Sequence, residues 1–536
     1  MKVNIKSDCR GWDVRDVVEQ IFEDRGIDDP EHFLNPTEDD MLPLEDLKNI
    51  KEASDLVLLN VSFGRKIGLL SDVDLDGITS AAIIYRYLTE LGADVEVFIN
   101  QGKAHGLQAF DLEKYKKCQL FIIVDSLDSG IENYRDVLTD SEITDILVLD
   151  HHAIDPDIPY DDYITLVSSQ RDYGNPQLSG AGVCMKFVLY LDKVQGTDYA
   201  ENLWDLSASG IIGDMMDVTV PENRYICSRG LEGINNLAIK KIAGGFGWDS
   251  KAVAFSLAPV VNASNRLNKN EYALDAFLTD DNKSVLADIR VLKKCKEQQN
   301  VEVDSLMDDI EKQISTQLDK KMLVVFIDTE FGIGGLIGNK ALERYKRPIL
   351  ILKRNENGIC SGSMRAGVDD FRQMIIDSGL AKASGHELAS GVLIKEENIP
   401  LLVDYMQEHL PDIGTFEETI DADIWINAED VDRYFIDEIQ RLNRISGTGF
   451  SSIRAYIDGI TDYHVTDMSN GKHLVIELGN STLKLIQWNF KGDWEVFEDA
   501  EMLCDELECV VELQSGFLGK NFWLQGIVQW IGVKNE

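Results

Sequence analysis

The chain has 536 residues, enough for three or four domains rather than one core, and its 44% hydrophobic content is that of a globular protein. Its 94 acidic residues against 52 basic ones leave a formal charge of −42, which argues against a basic surface over the whole molecule and leaves nucleic acid only a local groove. No apolar run reaches eighteen residues, the opening MKVNIKSDCRGWDVRD lacks a signal peptide's apolar stretch, and the eight cysteines are scattered without a CxxC pair, so the expectation is a cytoplasmic protein with reduced thiols and no membrane span.

Residues 1–60 read as an acidic helical segment, with turns at DRGIDDP and LNPTEDD. From Lys66 the pattern becomes α/β. IGLLSD, VEVFIN, LFIIVD and DILVLD read as buried strands and ITSAAIIYRYLTEL as a helix, which predicts a parallel sheet within a domain spanning 61–230. The C-terminal ends of such strands form the natural ligand crevice. A helical stretch follows over 231–320, and its part from Asn282 to Lys320, free of Gly and Pro, predicts a long connecting helix. A smaller α/β domain is expected over 321–412, through MLVVFID and PILILKR. Over 413–536, YHVTDM, KHLVIEL, STLKLIQWNF, LECVVEL and FWLQGIVQWI alternate with turns, the pattern of a small barrel of OB type. Between Lys340 and Arg365 seven cations stand against only Glu343 and Glu356, a local excess that offers a basic groove.

The chemistry concentrates at strand ends. Asp72, Asp74 and Asp76 alternate directly after IGLL, where three carboxylates repel one another unless a cation intervenes, and hard oxygen ligands suit magnesium or manganese. An EF-hand is excluded because its closing position, twelfth from Asp72, is Ile83. Asp125 closes LFIIV, Asp150-His151-His152 closes DILVL, and Asp214 follows SASGIIG. Helix caps and turns are the competing explanation for isolated aspartates, but an Asp-His-His triplet at a strand end suits manganese. These ligands suffice for two divalent ions, Mn2+ or Mg2+, and so favour hydrolysis of a phosphodiester. No GxSxG elbow and no Walker loop is present.

These residues resemble the DHH superfamily of phosphoesterases. Asp150-His151-His152 is similar to its namesake triplet, Asp74-Leu75-Asp76-Gly77 to its first motif, Asp125 to its second and Asp214 to its fourth. RGIDDPEHFLNP, APVVNASNRL, GIGGLIGNKALERYKRPIL, SGSMR, SGHELASG, LNRISGTGF and GKHLVIEL extend the resemblance over nearly the whole chain, to the RecJ-like single-strand-specific exonucleases. The resemblance implies that Asp74, Asp76, Asp125, His151 and Asp214 bind metal, with Asp125 between two ions. It further implies that Asp72 and Asp150 support them, that His152 contacts the scissile phosphate, and that Asn262, Arg266, Ser363, Arg365 and His386 hold substrate phosphates. VDSLDSGI leaves Asp125 and Asp128 both open as the second-motif ligand, with Asp125 favoured because it ends the apolar strand. The implied activity is 5′-to-3′ degradation of single-stranded DNA to nucleoside monophosphates by a monomer, with a helicase or single-strand-binding protein as possible partners. The alternatives are a DHH phosphodiesterase of short oligonucleotides or cyclic dinucleotides, and an inactive RecJ-like replication scaffold.

Overall fold

The structure is a computed structural model. It describes residues 2–100, 106–108, 117–245, 247–329, 331–355, 357–412, 419–469, 471–490, 492, 494–503, 505–518 and 521–534. The first strand, β1 (Lys2–Asp8), lies inside the segment expected to be helical. Helices follow it at Val14–Asp24 and Ile50–Ser62.

Five parallel strands come next: β2 (Ile67–Ser71), β3 (Val95–Ile99), β4 (Leu120–Val124), β5 (Asp145–Asp150) and β6 (Thr165–Ser168), in the order β3-β2-β4-β5-β6. The sheet is buried on both faces, which is why its strands read as unbroken apolar runs. On β4, Leu120, Ile122 and Val124 enter the main core, while Phe121 and Ile123 pack on the other side with Val148 and Leu166. From β2 the chain runs outward to β3 and returns on the opposite side as β4. The strand order therefore reverses between β2 and β4, and a crevice opens beyond their C-terminal ends.

The helix Asn282–Ser315 has 34 residues, as its uninterrupted sequence predicts, and is about 51 Å long. Val285, Ile289 and Leu292 of its first half join the core of the first domain. Val303, Ile310 and Ile314 of its second half pack against a second sheet. That sheet comprises β7 (Leu323–Phe326), β8 (Ile349–Arg354), β9 (Ile359–Arg365), β10 (Ala381–His386) and β11 (Ala389–Lys395), in the order β10-β11-β9-β8-β7.

The remaining strands are β12 (Thr419–Trp425), β13 (Ala455–Ile460), β14 (Tyr463–Met468), β15 (His473–Leu478), β16 (Leu483–Gln487), β17 (Glu506–Leu518) and β18 (Asn521–Lys534). With β1 they form one eight-stranded mixed sheet, ordered β1-β12-β13-β17-β18-β16-β15-β14. Two expectations change here. The order is an open series from β1 to β14 rather than a ring, so the strands are as expected but a closed barrel is not established. The N-terminal segment is not wholly helical, because Lys2–Asp8 alternates between exposed and half-buried positions and pairs in parallel with β12. The Arg25–Asp423 ion pair, 3.0 Å and largely buried, fastens the same junction. Among the described residues no helix is long and apolar enough to cross a membrane.

Candidate metal centre and anion cluster

The loop after β2 makes an abrupt strand-to-helix turn. Asp74 is the N-cap of the helix Leu75–Glu90, accepting the N–H of Gly77 at 3.1 Å. Glycine is required at 77 because a Cβ there would sit 2.6 Å from Cβ of Asp72 and 2.7 Å from its carbonyl carbon. The close packing folds three carboxylates back over the ends of β2 and β4. Asp76 is buried and gripped by the start of a later helix, Gly180–Gln195. Its Oδ1 accepts Ser179 Oγ at 2.9 Å and the Ala181 N–H at 3.0 Å, and its Oδ2 accepts the Gly180 N–H at 2.8 Å. The free N–H groups of a helix start are a natural counterpart for a carboxylate.

Asp125 follows β4 with φ of 55°, a left-handed conformation that costs a non-glycine residue energy and aims its side chain into the crevice. It is 2% exposed, yet its Oδ1 accepts no hydrogen bond. His151 Nε2 stands 3.1 Å from that oxygen, 3.4 Å from Asp214 Oδ2 and 3.8 Å from Asp76 Oδ2. Asp150, opposite Ser168 at the end of β5, accepts the Leu127 N–H at 2.7 Å and the His152 N–H, and its Oδ1 lies 3.1 Å from His152 Nδ1. Asp214 reaches the group from the C-cap of the helix Trp204–Gly213.

Three overlapping sets of ligand atoms result, each within 4.8 Å of one another: Asp72, Asp74 and Asp125; Asp125, His151 and His152; and Asp76, His151 and Asp214. Asp125 and His151 each belong to two sets. Every metal-binding candidate named from the sequence is in this cluster, and Asp72, expected only as a support, lies among the ligand atoms themselves. Asp128 does not join them. Its carboxylate accepts the Gly130 N–H at 2.8 Å and Asn133 Nδ2 at 2.6 Å, closing a local turn.

The electrostatics are those of buried carboxylates crowded together and offset only in part by the neighbouring histidines. Burial and the Asp74 charge push Asp72 up to about 8. Burial with Asp76 and Asp74 does the same to Asp214, also to about 8. Burial raises Asp76 and, together with the charges of Asp76, Asp74 and Asp72, raises Asp125 well above the usual range. Asp150 departs from the pattern: burial pushes it up, but the neighbouring histidines and the His152 hydrogen bonds outweigh burial and bring it down to about 2. The Asp150 charge in turn lifts His152 to about 10. A divalent cation relieves such crowding, and an orphaned buried oxygen beside an imidazole nitrogen is the donor set manganese or magnesium takes.

Of the phosphate-holding candidates, Asn262 touches the loop that carries this cluster, and Arg365 lies near Arg266. Asn262 Oδ1 accepts the N–H of Leu75, next to Asp74, at 3.1 Å. Arg266 is one turn further along the same helix, Ala258–Arg266. Its carbonyl accepts the Gly332 N–H at 3.3 Å, and its Nη1 donates to Gln299 at 3.0 Å. Arg365, at the end of β9, donates Nε to Asn339 at 2.6 Å and Nη1 to the Met364 carbonyl at 2.7 Å. Its guanidinium covers Gly335, where a Cβ would be 2.3 Å from Nη2, and Ser363 Oγ lies near Gly334. Burial lowers both arginines, and the charge of Arg365 lowers Arg266 further, so two like charges share a poorly solvated place. His386 ends β10 opposite Ala389, which pairs with Arg365, but its side chain lies outside the described residues.

Sequence reasoning missed Ser179, Gly180 and Gln299. Ser-Gly-Ala-Gly ahead of an apolar helix was a legible N-cap, although nothing in it marks Asp76 as its guest. Three of the seven cations in the basic stretch 340–365 are met by carboxylates: Lys340 pairs with Asp304, Arg344 with Glu311 and Arg354 with Glu396.

Residues 66–211 match the DHH family, N-terminal domain. RecJ of Bacillus subtilis, named a single-stranded-DNA-specific exonuclease, is 28% identical over 484 residues, which cover 84% of this chain and 60% of that protein. The SPbeta prophage-derived YorK of the same bacterium is 29% identical over 461 residues, covering 78% of this chain and 79% of YorK. Among solved structures, Thermus thermophilus RecJ with Mn2+ superposes on the whole chain and on 80% of its own, with a TM-score of 0.77 at 20% identity. A manganese-bound exonuclease RecJ covers 69% of this chain, with a TM-score of 0.57 at 25% identity.

Proposed function

We propose that this chain, whose residues 66–211 match the DHH family's N-terminal domain and which is 28% identical to RecJ of Bacillus subtilis over 484 residues, is a divalent-metal-dependent exonuclease of single-stranded DNA that hydrolyses phosphodiester bonds to nucleoside monophosphates. The observation that carries this reading is the buried Oδ1 of Asp125, which accepts no hydrogen bond and has His151 Nε2 at 3.1 Å, with Asp125 in two of three overlapping ligand sets. Asp74, Asp76, Asp125, His151 and Asp214 would hold the ions, Mn2+ or Mg2+, with Asp72 in support. Bound there, the ions supply a nucleophilic water at neutral pH and charge to offset the leaving oxygen. Ser179 and the adjacent N–H groups fix Asp76, as partners behind a ligand do. Asp150 engages His152 Nδ1 and so orients the imidazole that would contact the scissile phosphate.

Arg266, Ser363 and Arg365, with Asn262 and His386, grip the phosphates of the strand, the arginines through their planar forks. Asn262 touches the Asp74 loop, while Arg266, one turn on, bonds Gln299 of the long helix through its side chain and Gly332 through its carbonyl. The 5′-to-3′ direction and the choice of DNA belong to the reading through the likeness to RecJ alone.

The test is Mn2+-dependent degradation of 5′- and 3′-labelled single strands. Asp76→Ala and His151→Ala abolish hydrolysis while keeping the fold, because both residues stand at the crevice. A dinucleotide cut faster than a long strand identifies a short-oligonucleotide phosphodiesterase instead. No manganese-dependent cleavage of either substrate identifies a scaffold.

A further inference from the structure

The long helix Asn282–Ser315 is divided by charge. Its first half carries Lys283, Arg290, Lys293, Lys294 and Lys296 against one carboxylate, Asp288, whereas every charged residue from Glu297 to Glu311 is acidic. The acidic half is answered from the second domain by Lys340 on Asp304 and Arg344 on Glu311. The basic half is not answered: among the described residues Lys293, Lys294 and Lys296 form no ion pair, and neither do Arg266 and Arg365.

Lys296 is half-buried one turn before Gln299, the residue that accepts Arg266 Nη1 at 3.0 Å, so its ammonium belongs to the surroundings of Arg266. Burial lowers Lys296, and the charges of Arg266 and Lys340 lower it further. Like charges packed together in poor solvent, in a chain that is otherwise short of cations, are costly unless an anion arrives to share them.

We propose, resting on the exonuclease function proposed above, that Lys296, with Lys293 one turn before it, holds backbone phosphates of the single strand next to the nucleotide gripped at Arg266. The basic half of the long helix is then the track for the strand. This track assigns to the helix the grip on longer substrates, and explains how so acidic a molecule concentrates a polyanion at one place. Lys293 and Lys296 share a helix face, as residues three apart do.

Fluorescence anisotropy of a labelled single-stranded oligonucleotide, in EDTA and over a range of salt, tests the track apart from hydrolysis. Lys296→Gln is expected to weaken binding roughly 3- to 10-fold, and to reduce the slope of log affinity against log salt by about 0.7 for each phosphate no longer neutralised. Lys293→Gln adds to the weakening, and Lys296→Arg restores the wild-type values. Lys312→Gln, the same charge change at the acidic end of the helix, matches wild type. If Lys296→Gln and the Lys293→Gln/Lys296→Gln pair keep wild-type affinity and salt slope while wild type degrades single strands with Mn2+, the track is wrong and the exonuclease reading stands. If wild type neither binds nor degrades the strand, the exonuclease reading itself fails.

Discussion

The Nε2 of His151 stands 3.1 Å from Oδ1 of Asp125, a carboxylate oxygen that is buried and accepts no hydrogen bond. Two chain segments deliver this pair: β4 ends at Val124, β5 ends at Asp150, and Val124 and Leu149 are neighbours in register. The next residues on the two strands, Asp125 and Asp150, are therefore brought side by side, and His151 follows at once. The site is a product of strand register, on the strand next to the place where the order reverses between β2 and β4.

Asp125→Asn keeps the shape of the side chain and removes the charge that four other carboxylates, Asp76, Asp74, Asp72 and Asp150, oppose. The metal-free melting temperature should rise by about 1–3 °C, because a repulsion is relieved. The Mn2+-induced rise in melting temperature should vanish. Scanning fluorimetry with and without Mn2+ reads both effects, and a destabilised metal-free variant contradicts the account.

The pH dependence follows from the raised carboxylates. Asp72 and Asp214 are pushed up to about 8, from about 3.9 in an unfolded chain. Their protons are thus held more tightly in the fold, so the metal-free protein loses stability from these groups as pH rises from about 4 to about 8. Metal must displace the same protons, and its binding strengthens over that range. At fixed Mn2+ the stabilisation by metal should grow from about pH 6 to about pH 8. A flat or falling stabilisation contradicts the shared site.

Gly180 packs against the site so closely that a Cβ would stand 2.7 Å from Cβ and from Oδ1 of Asp125. Gly180→Ala must move the carboxylate or the helix start, at about 1–3 kcal/mol in stability and on the order of 100-fold in turnover. Ser179→Ala, which removes the 2.9 Å hydrogen bond to Asp76 and the cap of the same helix, is expected to weaken metal affinity by about 10- to 100-fold. Calorimetric Mn2+ titration separates these variants from simple loss of fold.

The N-terminal strand offers a test far from the chemistry. On its other side β12 is paired only through Ile424 with Ala455 and Trp425 with Tyr456. Deleting residues 1–8 leaves a bare strand edge and removes the Lys6 amine from Asp423. The cost should be about 1–3 kcal/mol, with aggregation on heating. An unchanged melting temperature means that β1 is dispensable to the sheet.

Much of this was legible in the residues, and the limits of the reading are physical. β2, β4 and β5 are unbroken apolar runs closed by acidic residues, because a sheet covered on both faces has no polar positions until its edge. β1 was not legible: KVNIKSD alternates weakly, and its partner lies more than 400 residues away. Asp125 and Asp128 look alike in VDSLDSGI, and only the turn made by Asp128 with Gly130 and Asn133 separates them. The stretch 340–365 reads as basic because sequence does not reveal that Asp304, Glu311 and Glu396 meet it. Lys296 escapes notice for the opposite reason, since its isolation from carboxylates is a fact of packing.

The most direct measurement is the number of Mn2+ ions bound per chain, by titration calorimetry on wild type and on Asp125→Asn. The account predicts two in wild type, with at least one lost when the carboxylate between the two sets becomes an amide. A wild-type chain that takes up no Mn2+, or a variant that titrates as wild type does, contradicts it.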